Sequence, residues 1–109
     1  MIKRFAINAS RGKQAFLSQI GIESPTSFRF RLYYVRRREA WYLRIESADG
    51  TPLVSGVRIV SDFPLIDQYR QALGNIDTDL LVMDLTSSGI EPTRDGLGED
   101  YVFIETDEF

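Results

Sequence analysis

"SFRFRLYYV", residues 27–35, alternates strictly, with Phe28, Phe30, Leu32 and Tyr34 pointing one way and Arg29, Arg31 and Tyr33 the other. Side chains on a strand alternate between two faces, so this pattern is that of a strand buried on one face and wet on the other. A short charged turn, "RRRE" at 36–39, separates it from "AWYLRIE", where Trp41, Leu43 and Ile45 alternate with Tyr42, Arg44 and Glu46. The two segments read as a β-hairpin whose core face combines Phe28, Phe30 and Leu32 with Trp41, Leu43 and Ile45. Cross-strand aromatic and β-branched pairs of this kind contribute up to about 1 kcal/mol each.

Working outward, "SADGTPL" follows the hairpin, and its Asp49-Gly50 pair suits a tight primed turn, because glycine accepts positive φ without steric cost. That turn would join the Trp41 strand to "LVSGVRIV", in which Gly56 marks a bulge or a close backbone approach. The strands up to Val60 then form a meander. Upstream, "KRFAINA" and "QAFLSQIGI" read as two further strands joined through "SRGK", the second closed off by Pro25. "DFPLIDQYRQAL" breaks the β pattern: Pro64 opens a turn or two of helix with Asp62 near its start, before Gly74 and Asn75. "DLLVMDL", residues 79–85, returns to strand, and its near-continuous apolar character predicts burial on both faces or at a subunit contact. "YVFIET" supplies the last strand. The fold predicted is all-β: one domain over 1–109, a small barrel or sandwich of six to eight mostly antiparallel strands, with at most one short helix near 64–73.

Composition narrows the chemistry. The 109 residues include no cysteine and no histidine, which removes disulfides, thiolate sites, the usual general base at neutral pH and the commonest metal ligand. Carboxylate, lysine, tyrosine or serine chemistry remains. The basic N-terminus lacks the apolar run of a signal peptide, and no segment approaches the roughly 20 apolar residues of a membrane span, so the chain reads as a soluble product of a cytoplasm.

The net charge of -3 hides an asymmetry. Residues 1–46 carry ten Lys/Arg against three Asp/Glu, a balance of +7, whereas residues 77–109 carry one against ten, a balance of -9. Either the two ends pair as neighbouring strands, or they are solvated faces, or they are two different faces that meet complementary neighbours in a head-to-tail or ring assembly.

Two stretches invite a chemical reading. In "IEPTRDGLGED", residues 90–100, Glu91, Asp95, Glu99 and Asp100 surround Arg94. A calcium loop needs six or more oxygens in a set register, which these acids lack, and Arg94 competes as a cation. An acid pair for glycoside hydrolysis needs one buried, protonated carboxyl, which so polar a loop would not supply. The loop is better read as shaped and exposed, with Glu91, Arg94 and Asp95 stabilising it or touching another subunit. The second stretch, "RFRLYYVRRR", interleaves arginines with aromatics as single-stranded nucleic-acid surfaces do. A small β-barrel binding nucleic acid through Arg29, Arg31, Tyr33 and Arg36 to Arg38 is the alternative function. The sequence pI near 4.9 and the acidic C-terminal third oppose it. Three like charges at Arg36, Arg37 and Arg38 repel one another, which favours an acidic surface facing that tip.

The order of motifs carries more than any one of them. The "W-L-I" hairpin, "DGTPLVSGVRIV", "PLIDQYR", "DLLVMDL" and "EPTRDGLGEDYVFI" together resemble the small baseplate plug proteins of contractile-tailed phages, a family described for a cyanophage baseplate. The resemblance runs from about Phe28 to Ile104. It implies a structural virion protein, not an enzyme and without a cofactor, made in a host bacterial cytoplasm. It further implies copies around the tail axis, in three-fold or six-fold arrangement, next to the tail hub and the end of the tail tube or other baseplate proteins. Carried onto this chain, the strand from Leu53 to Val60 would be scaffold, Leu65, Ile66 and Tyr69 would pack the crossover, and Pro92 to Gly98 would shape the loop before Tyr101. The "IESPT" segment and the arginine tip depart from the family pattern, which bears on the identity of the neighbours.

Overall fold

The computed structural model describes residues 2–7, 12–87, 89 and 91–107. The strict alternation around Phe30 becomes the hairpin of β3 (Thr26–Val35) and β4 (Ala40–Ser47), paired in register with Phe30 opposite Ile45 and Leu32 opposite Leu43. Those four and Trp41 are fully buried. The arginine tip is a single 3-10 turn, Arg36–Arg38, closed by Glu39 in the left-handed region at φ 48°.

β2 (Lys13–Ile20) adds to one side of this hairpin and β5 (Pro52–Arg58) to the other, so the predicted meander is a four-stranded antiparallel sheet in the order β2-β3-β4-β5. The turn into β5 is not the two-residue primed turn that Asp49-Gly50 suggested. Gly50 alone has positive φ, at 94°, and its N–H bonds the Ser47 carbonyl while the Ser47 N–H bonds Thr51. A three-residue loop closed by a glycine bulge results, and the Asp49 carboxylate accepts from the Ser47 hydroxyl and the Thr51 N–H. Gly56 sits in a bulge, where Ser55 and Gly56 together oppose Arg44 between the Leu43–Val57 and Ile45–Val54 pairs. Nothing lies within 4 Å of where its Cβ would be, so backbone conformation at φ 71°, and not a close approach, calls for glycine there.

The remaining strands, β1 (Ile2–Arg4), β6 (Asp79–Asp84) and β7 (Tyr101–Thr106), form a second antiparallel sheet in the order β1-β7-β6. The basic and acidic ends therefore meet as neighbouring strands, with Lys3 opposite Glu105. Both sheets bury one face against each other, giving a seven-stranded sandwich and not a closed barrel. Four phenylalanines join the layers: Phe5 and Phe103 from one sheet lie 5.1 Å apart at their ring centroids, Phe16 and Phe30 from the other 5.5 Å apart, and Phe5 reaches Phe30 at 6.0 Å.

β6 is not buried on both faces within the subunit, the first of the two alternatives its apolar run offered. Leu80 and Val82 are buried but Met83 is 38% exposed and Leu85, just beyond the strand, 56%. The strand buried throughout is β7, the middle strand of its sheet. The crossover from β5 seals the other edge of β6, with the N–H groups of Asp62 and Leu65 bonding the carbonyls of Val82 and Leu80. Its helix is a 3-10 segment, Asp67–Leu73, which starts after Ile66 and not at Pro64; Asp62 does not cap it. Leu65 and Ile66 are buried and Tyr69 packs against the core. Asp79, fully buried, latches the segment by accepting from the Ile66 and Leu80 N–H groups at 2.9 and 2.7 Å and from Arg70 at 2.7 Å. Burial pushes its carboxyl up, against those donors, which pull it down.

The joint through Ser10 and Arg11 lies outside the described residues, as do the last two residues of the chain.

Candidate functional site

The loop before β7 is built from its buried residues. Leu97 is fully buried and Pro92 and Gly96 are buried beside it, so the stretch that read as an exposed loop folds onto the end of the sandwich. The indole N–H of the buried Trp41 donates to the Thr93 carbonyl at 2.8 Å and so ties the loop to the tip end of the hairpin, where Trp41 pairs with Tyr34. At Gly98, φ is 99° and a Cβ would lie 2.5 Å from the Ile7 carbonyl oxygen, so no other residue fits without movement. Gly96 is required for a different reason: a Cβ would meet the Thr93 hydroxyl at 2.5 Å.

The acids of the loop remain at the surface. Glu91 bonds Arg58 of β5 at 2.6 Å, and Asp95, with its side chain 88% exposed, bonds Arg94 at 3.1 Å. Pairs this exposed contribute roughly 0–1 kcal/mol and serve more to orient than to stabilise. Among the described residues, no group of three or more His, Cys, Asp or Glu could hold a metal ion.

Arg38 donates to the Tyr42 hydroxyl at 3.3 Å and stacks over that ring at 5.9 Å, which pins one arginine of the tip down. Arg36 and Arg37 are exposed. Residues some fifty positions apart in the chain thus share one end of the molecule: Arg38, Glu39, Arg58, Glu91 and Thr93 line a surface cleft of about 360 Å³. Arg94 and Asp95 stand outside this cleft, where the Arg94 guanidinium lies against Gly12, about 3.0 Å from where a Cβ would be. The sequence reading missed Arg58, the partner of Glu91. Its only signal was an isolated cation in a strand treated as scaffold.

The hairpin tip and the loop before β7 form one end of the sandwich, and comparison with known families decides what the chain is. A family model described as the cyanophage baseplate Pam3 plug gp18 matches residues 5–108. The chain belongs to that family. No curated protein matches the chain. As a member of the plug family it is a structural protein of the phage tail baseplate and not an enzyme, and its place in the virion implies contacts with hub, tube or other baseplate proteins. Leu97, Pro92, Trp41 and Gly98 hold this end of the plug in shape.

Proposed function

We propose that the plug acts as one β domain over 1–109 and that its contact end is the one bearing Arg36, Arg37, Arg38, Glu91, Arg94 and Asp95. The observation that carries this reading is the meeting of the tip and the loop around a single cleft, with Arg38, Arg58 and Glu91 on its walls. Charged groups of both signs held at one end suit recognition of a partner by complementary charge, which selects register and rejects wrong neighbours more than it adds affinity. Hub or tube-end protein would occupy that end, copies of the plug would stand around the tail axis in three-fold or six-fold symmetry, and the chain would be made in the cytoplasm of the host bacterium.

Cryo-EM of purified tails tests each part. The expected map shows the chain at the baseplate centre with the 36–39 and 91–95 segments against another protein. A map in which this end faces solvent would overturn the contact assignment. Particles that lack the chain would overturn the placement in the tail.

A further inference from the structure

The outward face of the four-stranded sheet is not an ordinary wet face. Glu46, only 5% exposed, lies beneath two arginines: its carboxylate oxygens are 3.1 Å from Arg31 Nε and 2.9 Å from Arg44 Nε. Arg31 donates to Glu46 through Nε, whereas Arg44 Nε, buried beside the same carboxylate, makes no hydrogen bond to it, and the Nη nitrogens of both arginines have no partner among the described residues. A planar fork held in place by its own carboxylate is ready for a second carboxylate, and little side-chain freedom remains to be lost. Around it, Arg29 stands opposite Glu46, Lys13 opposite Tyr33, and the exposed Leu17 opposite Arg29. None of the cations Lys13, Arg29, Arg31 and Arg44 bonds an acid other than Glu46 among the described residues. A groove of about 350 Å³ runs between Leu17, Arg29 and Arg31.

Such a face takes anionic groups, and two features favour carboxylates over a nucleic-acid backbone. Tyr33 and Tyr42, which would have to offer a stacking platform to bases, are stacked on each other at 5.8 Å with 19° between planes, and Arg38 covers Tyr42. The exposed Leu17 adds an apolar contact of the kind a protein uses. The chain also carries the complement: Asp95, Glu99 and Asp100 are exposed on the loop before β7, in the opposite sheet, with Arg94 the sole cation among residues 91–107. Two different and complementary surfaces on one subunit make a heterologous contact.

We propose that the outward face of the β2-β3-β4-β5 sheet, through Lys13, Arg29, Arg31 and Arg44, binds Glu99 and Asp100 on the loop before β7 of a second copy of this chain. The proposal rests on the reading that copies of the plug stand side by side, and it uses a face separate from the tip. The test is sedimentation of the purified chain at about 50 mM and about 500 mM salt, where screening weakens contacts between exposed charges. The expected result is self-association that falls about tenfold or more between the two conditions. The double variants Lys13→Glu/Arg29→Glu and Glu99→Lys/Asp100→Lys, whose side chains have no partner among the described residues, each lose association alone and regain it when mixed. Thermal midpoints within a few degrees of the parent confirm folding. If a charge reversal does not fold, the glutamine substitutions at the same positions replace it, with a smaller expected loss.

A monomer at every salt and concentration, or variants that associate unchanged, or no recovery on mixing, overturns the proposal. Binding of a single-stranded oligonucleotide that Lys13→Glu/Arg29→Glu abolishes, without self-association, overturns it in favour of nucleic acid. If the chain is present in purified tails while self-association fails, the proposed contact falls and the plug role stands.

Discussion

A carboxylate that accepts backbone N–H groups acts as a clamp, and Asp77 is the clearest case in this chain. Its two oxygens accept from Ile22 N–H at 2.7 Å and Glu23 N–H at 3.1 Å, while the Gly21 N–H goes to Glu105 at 2.7 Å. Side chains that precede and end the second sheet thus hold the turn between β2 and β3 in the first. The two backbone donors hold the Asp77 carboxyl below its ordinary value of 3.8. A lowered folded value means that the contribution is present above the unfolded pKa, near pH 4, and is lost as pH falls through the lowered one. Asp77→Asn should therefore lower the urea midpoint at neutral pH, and the gap from the parent should close as pH falls through the lowered pKa. A gap of constant size would mean that the charge is not its source. Nothing in the local sequence marks Asp77 out, because its partners lie more than fifty positions away. Gly98, by contrast, was legible as a turn residue, though the carbonyl of Ile7 that forbids a side chain there was not.

At the scale of elements, periodicity reads well where a strand has one buried face and poorly elsewhere. β3 and β4 alternate, and Phe28, Phe30, Leu32, Trp41, Leu43 and Ile45, which alternation put inside, are all buried, although Tyr42 and Glu46 on the other face are buried as well. β6 and β7 show why an apolar run is ambiguous: "DLLVMDL" exposes Met83, whereas "YVFIET", which ends in glutamate and threonine, is buried throughout. What the folded chain lays over each strand sets burial there, and that is not a local property. The 91–100 loop misled for a related reason, since its charges conceal Leu97. Leu97→Ala should cost about 2–5 kcal/mol in denaturant unfolding, as other buried leucines do, because it leaves a cavity in the core cluster that the flanking glycines cannot refill. Leu85→Ala, at an exposed position, should change stability by no more than about 0.5 kcal/mol. Equal effects at the two sites would show that the loop is not anchored by its leucine.

For the whole molecule, the question is whether the charged end serves folding or assembly. Arg94 bonds Asp95 and rests against Gly12, at a half-exposed position where a side chain contributes on the order of 1 kcal/mol or less. Arg94→Ala should then reduce incorporation into tails more than it shifts the thermal midpoint of the isolated subunit, with incorporation read by mass spectrometry of purified particles. A loss of thermal stability that accounts for the whole assembly defect would count against a contact role. The sequence by itself determined the β class, the hairpin at the heart of the sandwich, the meander built on it and the family, because each rests on patterns among residues close in the chain or on their order. Tertiary structure alone decided that the sheets stack and do not close, that the arginine tip shares a cleft with Glu91, that Arg58 joins them, and that Glu46 is buried under two arginines. Those juxtapositions join positions tens of residues apart, and they come from how two twisted sheets bury Phe5, Phe16, Phe30 and Phe103 between them, which no local periodicity encodes.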